Sequence, residues 1–287
     1  MPIEGKKLYL GDNPITLIKD NGFVAVDPLF VSPTDPDADA FIAAVEGGGD
    51  TLTTTEKSAI DTLVTTFKSD GIWTKMQAIY PMVGGTSSAM KWNLKDPRDL
   101  DAAYRMSWTA TNWTFSANGA QAGDTNNEYG NTHFACNENS LANGQSLSIY
   151  VNGGTTATGY DLATSDGVNQ ETGIIAGFGN NLAYTKYGYA TWLTDTQTGM
   201  PNKFIHSSGN GSGTELYVNG TQEQTNATAR DITMTTNFYL GNKSGVSNQP
   251  TDRRYAFVHL GTYMDSTDHS NLYTAVQAFN TTLGRNN

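Results

Sequence analysis

Five glutamates in the C-terminal two thirds of the chain, Glu128, Glu138, Glu171, Glu215 and Glu223, are the first residues to weigh for catalysis. Hydrolysis of a glycosidic bond needs two carboxyl groups roughly 5–10 Å apart, most simply two or four positions apart on one strand. No two of these glutamates have that spacing. No catalytic residue is therefore assigned and the chain is expected not to be an enzyme, although carboxylates brought together from separate strands stay open. Four histidines, His133, His206, His259 and His269, are scattered without a metal-ligand spacing. His133 near the single cysteine, Cys136, makes neither a zinc site nor a Cys–His nucleophile. No metal ligand is assigned and no cofactor is expected. Calcium is the one ion considered, because the loops Asp124-Thr125-Asn126-Asn127-Glu128 and Asp161…Asp166 offer hard oxygen donors; such loops are more often solvated turns. The run Tyr184-Thr185-Lys186-Tyr187-Gly188-Tyr189 is the densest aromatic cluster. On a strand, Tyr187 and Tyr189 share a face while Tyr184 points the other way. A packed core face is the favoured reading of that cluster, and exposed Tyr, Trp and Asn that stack on sugars are the other. No ligand-binding residue is assigned.

Composition says what must position these groups. The 287 residues carry 17 Lys+Arg against 28 Asp+Glu, a net charge of −11, and only 16% are charged. Thr, Asn, Ser and 30 Gly fill the gap, which suits threonine-rich strands joined by Gly/Asn turns. Aromatic residues at 10% supply enough large side chains to bury a core. An acidic chain without a basic stripe is repelled by phosphates, so no nucleic-acid partner is expected. No apolar run approaches the roughly 20 residues needed to cross a bilayer, and no membrane insertion is expected. Asp12 and Asn13 interrupt the N-terminal residues before a signal h-region forms. With one cysteine, folding in a reducing cytosol is the simplest expectation.

Three zones are expected. Residues 1–32 contain short apolar runs (7–11, 15–18 and 22–26) split by Gly-Asp-Asn-Pro and Lys-Asp-Asn-Gly, a strand–turn–strand pattern. So small a segment must pair with the main domain or with another subunit. Residues 33–101 read as helical. Asp35-Pro36 starts one helix, which carries Ala38, Phe41, Ile42 and Val45 and stops at Gly47-Gly48-Gly49. Thr53-Thr54-Thr55-Glu56 is a capping box opening a second, with Ile60, Leu63, Val64 and Phe67 on one face. A short third helix is expected after Asp96-Pro97. Residues 102–287 hold strand patterns at 104–108, 112–116, 147–151, 184–193, 215–218, 238–240 and 255–260, spaced as in a large antiparallel sandwich. Asn152-Gly153 and Asn219-Gly220 each follow Tyr-Val and predict type I′ hairpins. Asp265-Ser266-Thr267-Asp268 caps a last helix with Leu272, Tyr273, Val276 and Phe279, closed by Leu283-Gly284.

Several blocks carry a resemblance. Asp39-Ala40-Phe41-Ile42-Ala43-Ala44, Asp70-Gly71-Ile72-Trp73-Thr74-Lys75-Met76, Ala78-Ile79-Tyr80-Pro81-Met82-Val83-Gly84-Gly85 and Trp92-Asn93-Leu94-Lys95-Asp96-Pro97-Arg98-Asp99-Leu100-Asp101 resemble a module of tailed-bacteriophage structural proteins. Leu216-Tyr217-Val218-Asn219-Gly220-Thr221, Phe238-Tyr239-Leu240-Gly241-Asn242 and the stretches 255–261 and 272–285 are similar to the sandwich and closing helix that follow it in that family. The resemblance implies a mainly β fold: a concanavalin A-like, laminin-G-like antiparallel sandwich (jelly roll) with a small helical module and a short N-terminal strand segment. It implies a virion structural component, a capsid decoration or head-fibre protein, with a glycan-binding tail fibre or adhesin as the alternative. The expected partners are major capsid or tail proteins through residues 1–32, host-surface glycans, and further copies of the chain. The expected location is the virion surface, after synthesis in the host cytoplasm.

Overall fold

The computed structural model describes residues 34–286 apart from 110–111, 126, 156–158, 169, 179–181, 189, 196–202, 231–232 and 245–248, and the backbone of 8–10, 13–15, 17–20 and 23–26. The chain divides into two compact units, Met1–Asp35 and Pro36–Asn287. In the first, β1 (Leu8–Leu10) pairs antiparallel with β2 (Asn13–Ile15), and β3 (Leu17–Asp20) with β4 (Phe23–Val26). Of the two turns expected at 11–14 and 19–22, residues 11–12 and 21–22 lie outside the described residues, while Asn13-Pro14 and Lys19-Asp20 fall in β2 and β3.

The second unit is the antiparallel sandwich that the sequence predicts. One sheet runs β17 (Thr221–Asn226), β16 (Thr214–Val218), β15 (Lys203–Gly209), β10 (Gln145–Gly153), β19 (Arg254–Gly261), β8 (Gly119–Gln121) and β7 (Thr114–Ser116), with β5 (Met76–Tyr80) also paired to β19. The other runs β14 (Leu193–Thr194), β13 (Tyr184–Lys186), β12 (Glu171–Ile175), β11 (Leu162–Ser165), β18 (Asn237–Leu240), β9 (Tyr129–Ala135) and β6 (Ser107–Thr109). The two-residue period of a strand sorts the side chains. Leu147, Ile149 and Val151 of β10 enter the core between the sheets, where they join Phe134, Leu162, Ile174 and Phe238. Tyr150 faces the other way.

That other face is covered by α1 (Pro36–Gly47), α2 (Thr54–Ser69) and α3 (Ser266–Thr282). Phe41, Leu63, Phe67, Leu272 and Phe279 pack there on Tyr150, Phe204, Ala256 and Phe257. A bulge makes the fit. Tyr150 pairs with Phe257 but Val151 with Tyr255, so Ala256 is an extra residue, and both Ala256 and Phe257 turn to the helices. The apolar stripes of the helices thus serve as core.

Local chemistry fixes the helix ends. Glu56 N donates to Thr53 Oγ1 (3.2 Å) while Thr53 N donates to Glu56 Oε2 (2.9 Å), the capping box read from the sequence. Asp265 and Asp268 make the same reciprocal pair at α3. Beyond α3 the buried Arg285 donates to the carbonyls of Ala117 (2.8 Å), Pro81 (3.1 Å), Ala256 (3.2 Å) and Met82 (2.7 Å). Burial lowers its pKa to about 10.

Four expectations change. The stretch 76–80, read within the helical zone, is strand β5, because its apolar residues are buried on both faces of the sheet. The helix expected after Asp96-Pro97 is only a 3-10 turn at Asp101–Ala103, since Arg98 folds back onto Asp96 and Tyr104 adopts φ 57°, which ends any helix. The single strand expected over 184–193 is two strands, β13 and β14, separated at Gly188 with φ 61°. Asn219 (φ 49°) and Gly220 (φ 84°) do form the tight hairpin between β16 and β17, but Asn152-Gly153 stays in β10. Arg254 explains the difference: it donates to the Asn152 side chain (2.9 Å) and carbonyl (2.6 Å) and holds that segment extended.

Candidate functional site

On the outer face of the second sheet, alternation along β12 and β13 sets the side chains. Thr185 turns inward, its hydroxyl within hydrogen-bond distance of Gly173 O (3.0 Å) and Ser207 Oγ (2.7 Å). Its neighbours Tyr184 and Lys186 therefore point out. Lys186 lies opposite Gly173, which in turn lies opposite Ala163 of β11. A Cβ on Gly173 would meet Ala163 Cβ at 2.5 Å, so the middle of this face requires glycine. Larger groups rise around that low centre. Tyr160 precedes β11, Trp192 precedes β14, and Lys243 follows β18, bridging to Ala163.

The rings form one connected platform. Tyr160 and Trp192 centroids are 6.0 Å apart at 55°, Tyr184 and Trp192 6.3 Å apart at 84°, and Phe178 meets Tyr184 edge-on at 6.1 Å. Phe178 is 44% exposed, unusual for so large an apolar side chain. Glu171 sits among them. Its Oε2 accepts the Tyr160 hydroxyl (3.0 Å), and its Oε1 takes the Lys243 ammonium. Lys243 also lies 4.4 Å from the Tyr160 ring centre, and Lys186 5.6 Å from that of Trp192. Burial first, then the Glu171 charge, pushes the Tyr160 phenol up, so it stays a donor at neutral pH. Apolar ring faces beside fixed polar groups are the ingredients that bind a sugar, whose C–H faces stack and whose hydroxyls hydrogen-bond.

Tyr184 joins the platform, Tyr187 is fully buried in the core, and Tyr189 lies outside the described residues. Glu171 is in the platform. Glu138 accepts the Tyr104 hydroxyl, and Glu215 accepts those of Tyr217 (2.6 Å) and Tyr263 (3.1 Å). Glu128 is buried, with Oε2 accepting from Thr125 Oγ1 (2.7 Å). Asp161 of the second calcium-type loop is committed elsewhere. It pairs with buried Arg253 (3.2 Å) and accepts from Tyr255 Oη (2.8 Å) and Ala176 N (2.5 Å), and burial raises its pKa against the pull of Arg253. Asp166 caps its own loop through Val168 N (2.8 Å) and Gln170 N (2.9 Å). Cys136 is buried, and His133 is bonded to Ser107 Oγ (2.8 Å).

The other three histidines are not scattered. His206 of β15, His259 of β19 and His269 of α3 meet between sheet and helix. The Nδ1 atoms of His206 and His269 lie 2.6 Å apart, within hydrogen-bond distance, with ring planes 2° apart. Tyr217 stacks on His269 at 3.8 Å, and Ser148 Oγ lies 3.3 Å from His259 Nδ1. Among the described residues no group of three or more His, Cys, Asp or Glu is set to hold a metal ion. Near the C-terminal end a cleft of about 590 Å³ is lined by Tyr150, Asn219, Tyr273 and Gln277. Several of its polar groups are already bonded to one another: Tyr150 Oη to Asn286 (2.6 Å), Gln277 to Tyr273 Oη (3.0 Å). Among the described residues its lining carries no charged side chain, and the platform is the richer site.

Tyr160, Trp192, Phe178 and Lys243 carry no local sequence signature of a site. They come from separate segments, and the one signal pointing to them was Tyr184, out of phase with Tyr187.

No family model and no curated protein matches the chain. Solved structures match in fold. Trypanosoma rangeli sialidase aligns with TM-score 0.52 and 11% identity over 78% of this chain and 39% of its own. A mutant of that sialidase displaying trans-sialidase activity gives 0.51 and 13%, covering 77% and 39%. Domain 4 of AbnA, a GH43 extracellular arabinanase from Geobacillus stearothermophilus, solved with arabinotriose, aligns at 0.46 and 15% over 69% of this chain and 98% of that domain. The chain thus spans about two fifths of the length of the sialidases it matches. At these identities the likeness carries the fold. It also corrects one expectation: sialidases use this fold, so it is one that enzymes carry, and the isolated glutamates of the sequence do not exclude catalysis.

Proposed function

We propose that the sandwich binds glycans on the outer face of its second sheet and is displayed on the surface of a tailed-phage virion. The observation that carries the binding reading is the platform itself: Tyr160, Tyr184, Trp192 and Phe178 in a chain of tilted and edge-to-face ring contacts around Glu171, Lys186 and Lys243. The virion setting rests on the resemblance of residues 37–101 and 272–285 to phage structural proteins. Residues 1–32 then dock the protein to a capsid or tail protein by strand addition.

A glycan array with purified protein, with and without calcium, tests the binding. Binding of at least one glycan class is expected, weakened about tenfold or more in Trp192→Ala, because a central aromatic anchor dominates such contacts. An array without a positive signal under either condition, or full binding by Trp192→Ala, overturns the reading. Electron microscopy with labelled antibody tests the setting: decoration of intact particles is expected, and bare particles beside abundant free protein refute it.

A further inference from the structure

We infer that the platform selects acidic glycans, and that the Lys186 ammonium is the group that receives the ligand's carboxylate. This rests on the proposed glycan binding and narrows it to one class.

The argument is one of charge and of donors already spent. Within the platform stand one carboxylate, Glu171, and two ammonium groups, Lys186 and Lys243, a local surplus of one positive charge in a chain of net charge −11. Glu171 has both oxygens occupied, one by Lys243 and one by the Tyr160 hydroxyl at 3.0 Å. It is neutralised and does not repel an anion. Lys243 is spent as well: its ammonium is held by Glu171 and lies over the Tyr160 ring, and its side chain is only 7% exposed.

Lys186 differs. Its ammonium forms only a loose ion pair with Glu171, 4.0 Å from Oε2 and beyond hydrogen-bond range. Among the described residues it makes no side-chain hydrogen bond, and it lies 5.6 Å from the centre of the Trp192 ring. Its side chain is 14% exposed, so the surrounding surface removes much of its water while leaving the head reachable. A partly desolvated ammonium beside an aromatic face matches a sugar ring with an attached carboxylate: the ring lies on Trp192 and the carboxylate completes the donor set of Lys186. A charge-assisted hydrogen bond of this kind is about twice as strong as a neutral one and is expected to discriminate about ten- to hundredfold.

Calorimetry with two acid/neutral pairs tests this: trigalacturonic acid against its methyl ester, and 3′-sialyllactose against lactose. The acid of at least one pair is expected to bind at least tenfold tighter than its neutral partner. Lys186→Gln should erase that difference and Lys186→Arg should keep it, with near-ultraviolet circular dichroism confirming that both variants fold. Trp192→Ala should weaken both members of the pair. A neutral ligand that binds as well as its acid, or a Lys186→Gln protein that keeps the preference, overturns the inference while glycan binding stands. Failure of every acid and every neutral glycan, on the array as well as here, overturns the glycan reading itself.

Discussion

Acidification from pH 7.5 to 5 should destabilise the sandwich steeply, because His206, His259 and His269 are buried as neutral rings. The groups facing them are few. Lys75 pairs with Asp268, Asp265 caps α3, and Glu215 is held by Tyr217 and Tyr263; His259 has Ser148. Burial drives the pKa of His259 and of His269 from 6.5 to about 3, and that of His206 well below its usual range, the last helped by the two neighbouring rings.

The sign follows from proton binding. Between about pH 6.5 and 3 the unfolded chain takes up protons that the folded chain refuses, so stability falls as pH falls and is flat above that window. Each histidine contributes ~1.4 kcal/mol per pH unit, hence about 2 kcal/mol at pH 5 and about 6 kcal/mol for the three together. Depressed carboxylates such as Asp265 and Asp96 act only at lower pH. Asp161 and Asp195, whose carboxyls burial raises, work in the opposite direction. Variants therefore isolate the histidines. Urea denaturation at both pH values should show the wild-type loss, and His259→Gln and His269→Gln should each shrink it by about 2 kcal/mol. A pH dependence identical in wild type and both variants would refute the buried-neutral account.

Other expected outcomes are simpler to read. Gly173→Ala forces a methyl group to 2.5 Å from Ala163 Cβ, costing about 1–3 kcal/mol in urea melts. Thr53→Ala removes the capping box of α2 and should cost about 1 kcal/mol, with no effect on glycan binding. Arg285→Met leaves four carbonyls without their shared donor; a loss of about 3 kcal/mol is expected, since buried polar groups stripped of a charged partner pay their full desolvation. A thermal melt unchanged by Arg285→Met would mean that water replaces the guanidinium.

Elements with local signatures were legible in the sequence. Thr53 to Glu56 and Asp265 to Asp268 place the capping atoms within one turn, so residue types alone identify the helix starts. Asn219-Gly220 likewise carries its positive φ values in two adjacent residues. Where a distant residue decides, the sequence misleads. Asn152-Gly153 has the same local text but is held extended by Arg254, about a hundred positions away. Met76–Tyr80 lacks polar alternation because sheet core covers one side and helices the other, and a short apolar run of that kind looks the same in a helix.

The platform shows why a sandwich hides its site more thoroughly than its fold. Each member is unremarkable alone: Glu171 has no carboxylate two or four positions away, Trp192 falls near the end of a stretch that reads as one strand, and Lys243 follows an ordinary Gly-Asn pair. They meet because β11, β12, β13 and β14 lie side by side and β18 joins the same sheet beyond β11. The register, with Lys186 opposite Gly173 and Tyr184 opposite Ile175, then decides which side chains share the outer face. A one-residue slip in β13 would turn Thr185 outward and bury Tyr184 and Lys186. Inward bonds from Thr185 to Gly173 and Ser207 hold that register. Thr185→Val is thus a test of position at a distance: it touches no glycan, yet it should weaken acid and neutral ligands alike by loosening the strand that carries both Tyr184 and Lys186.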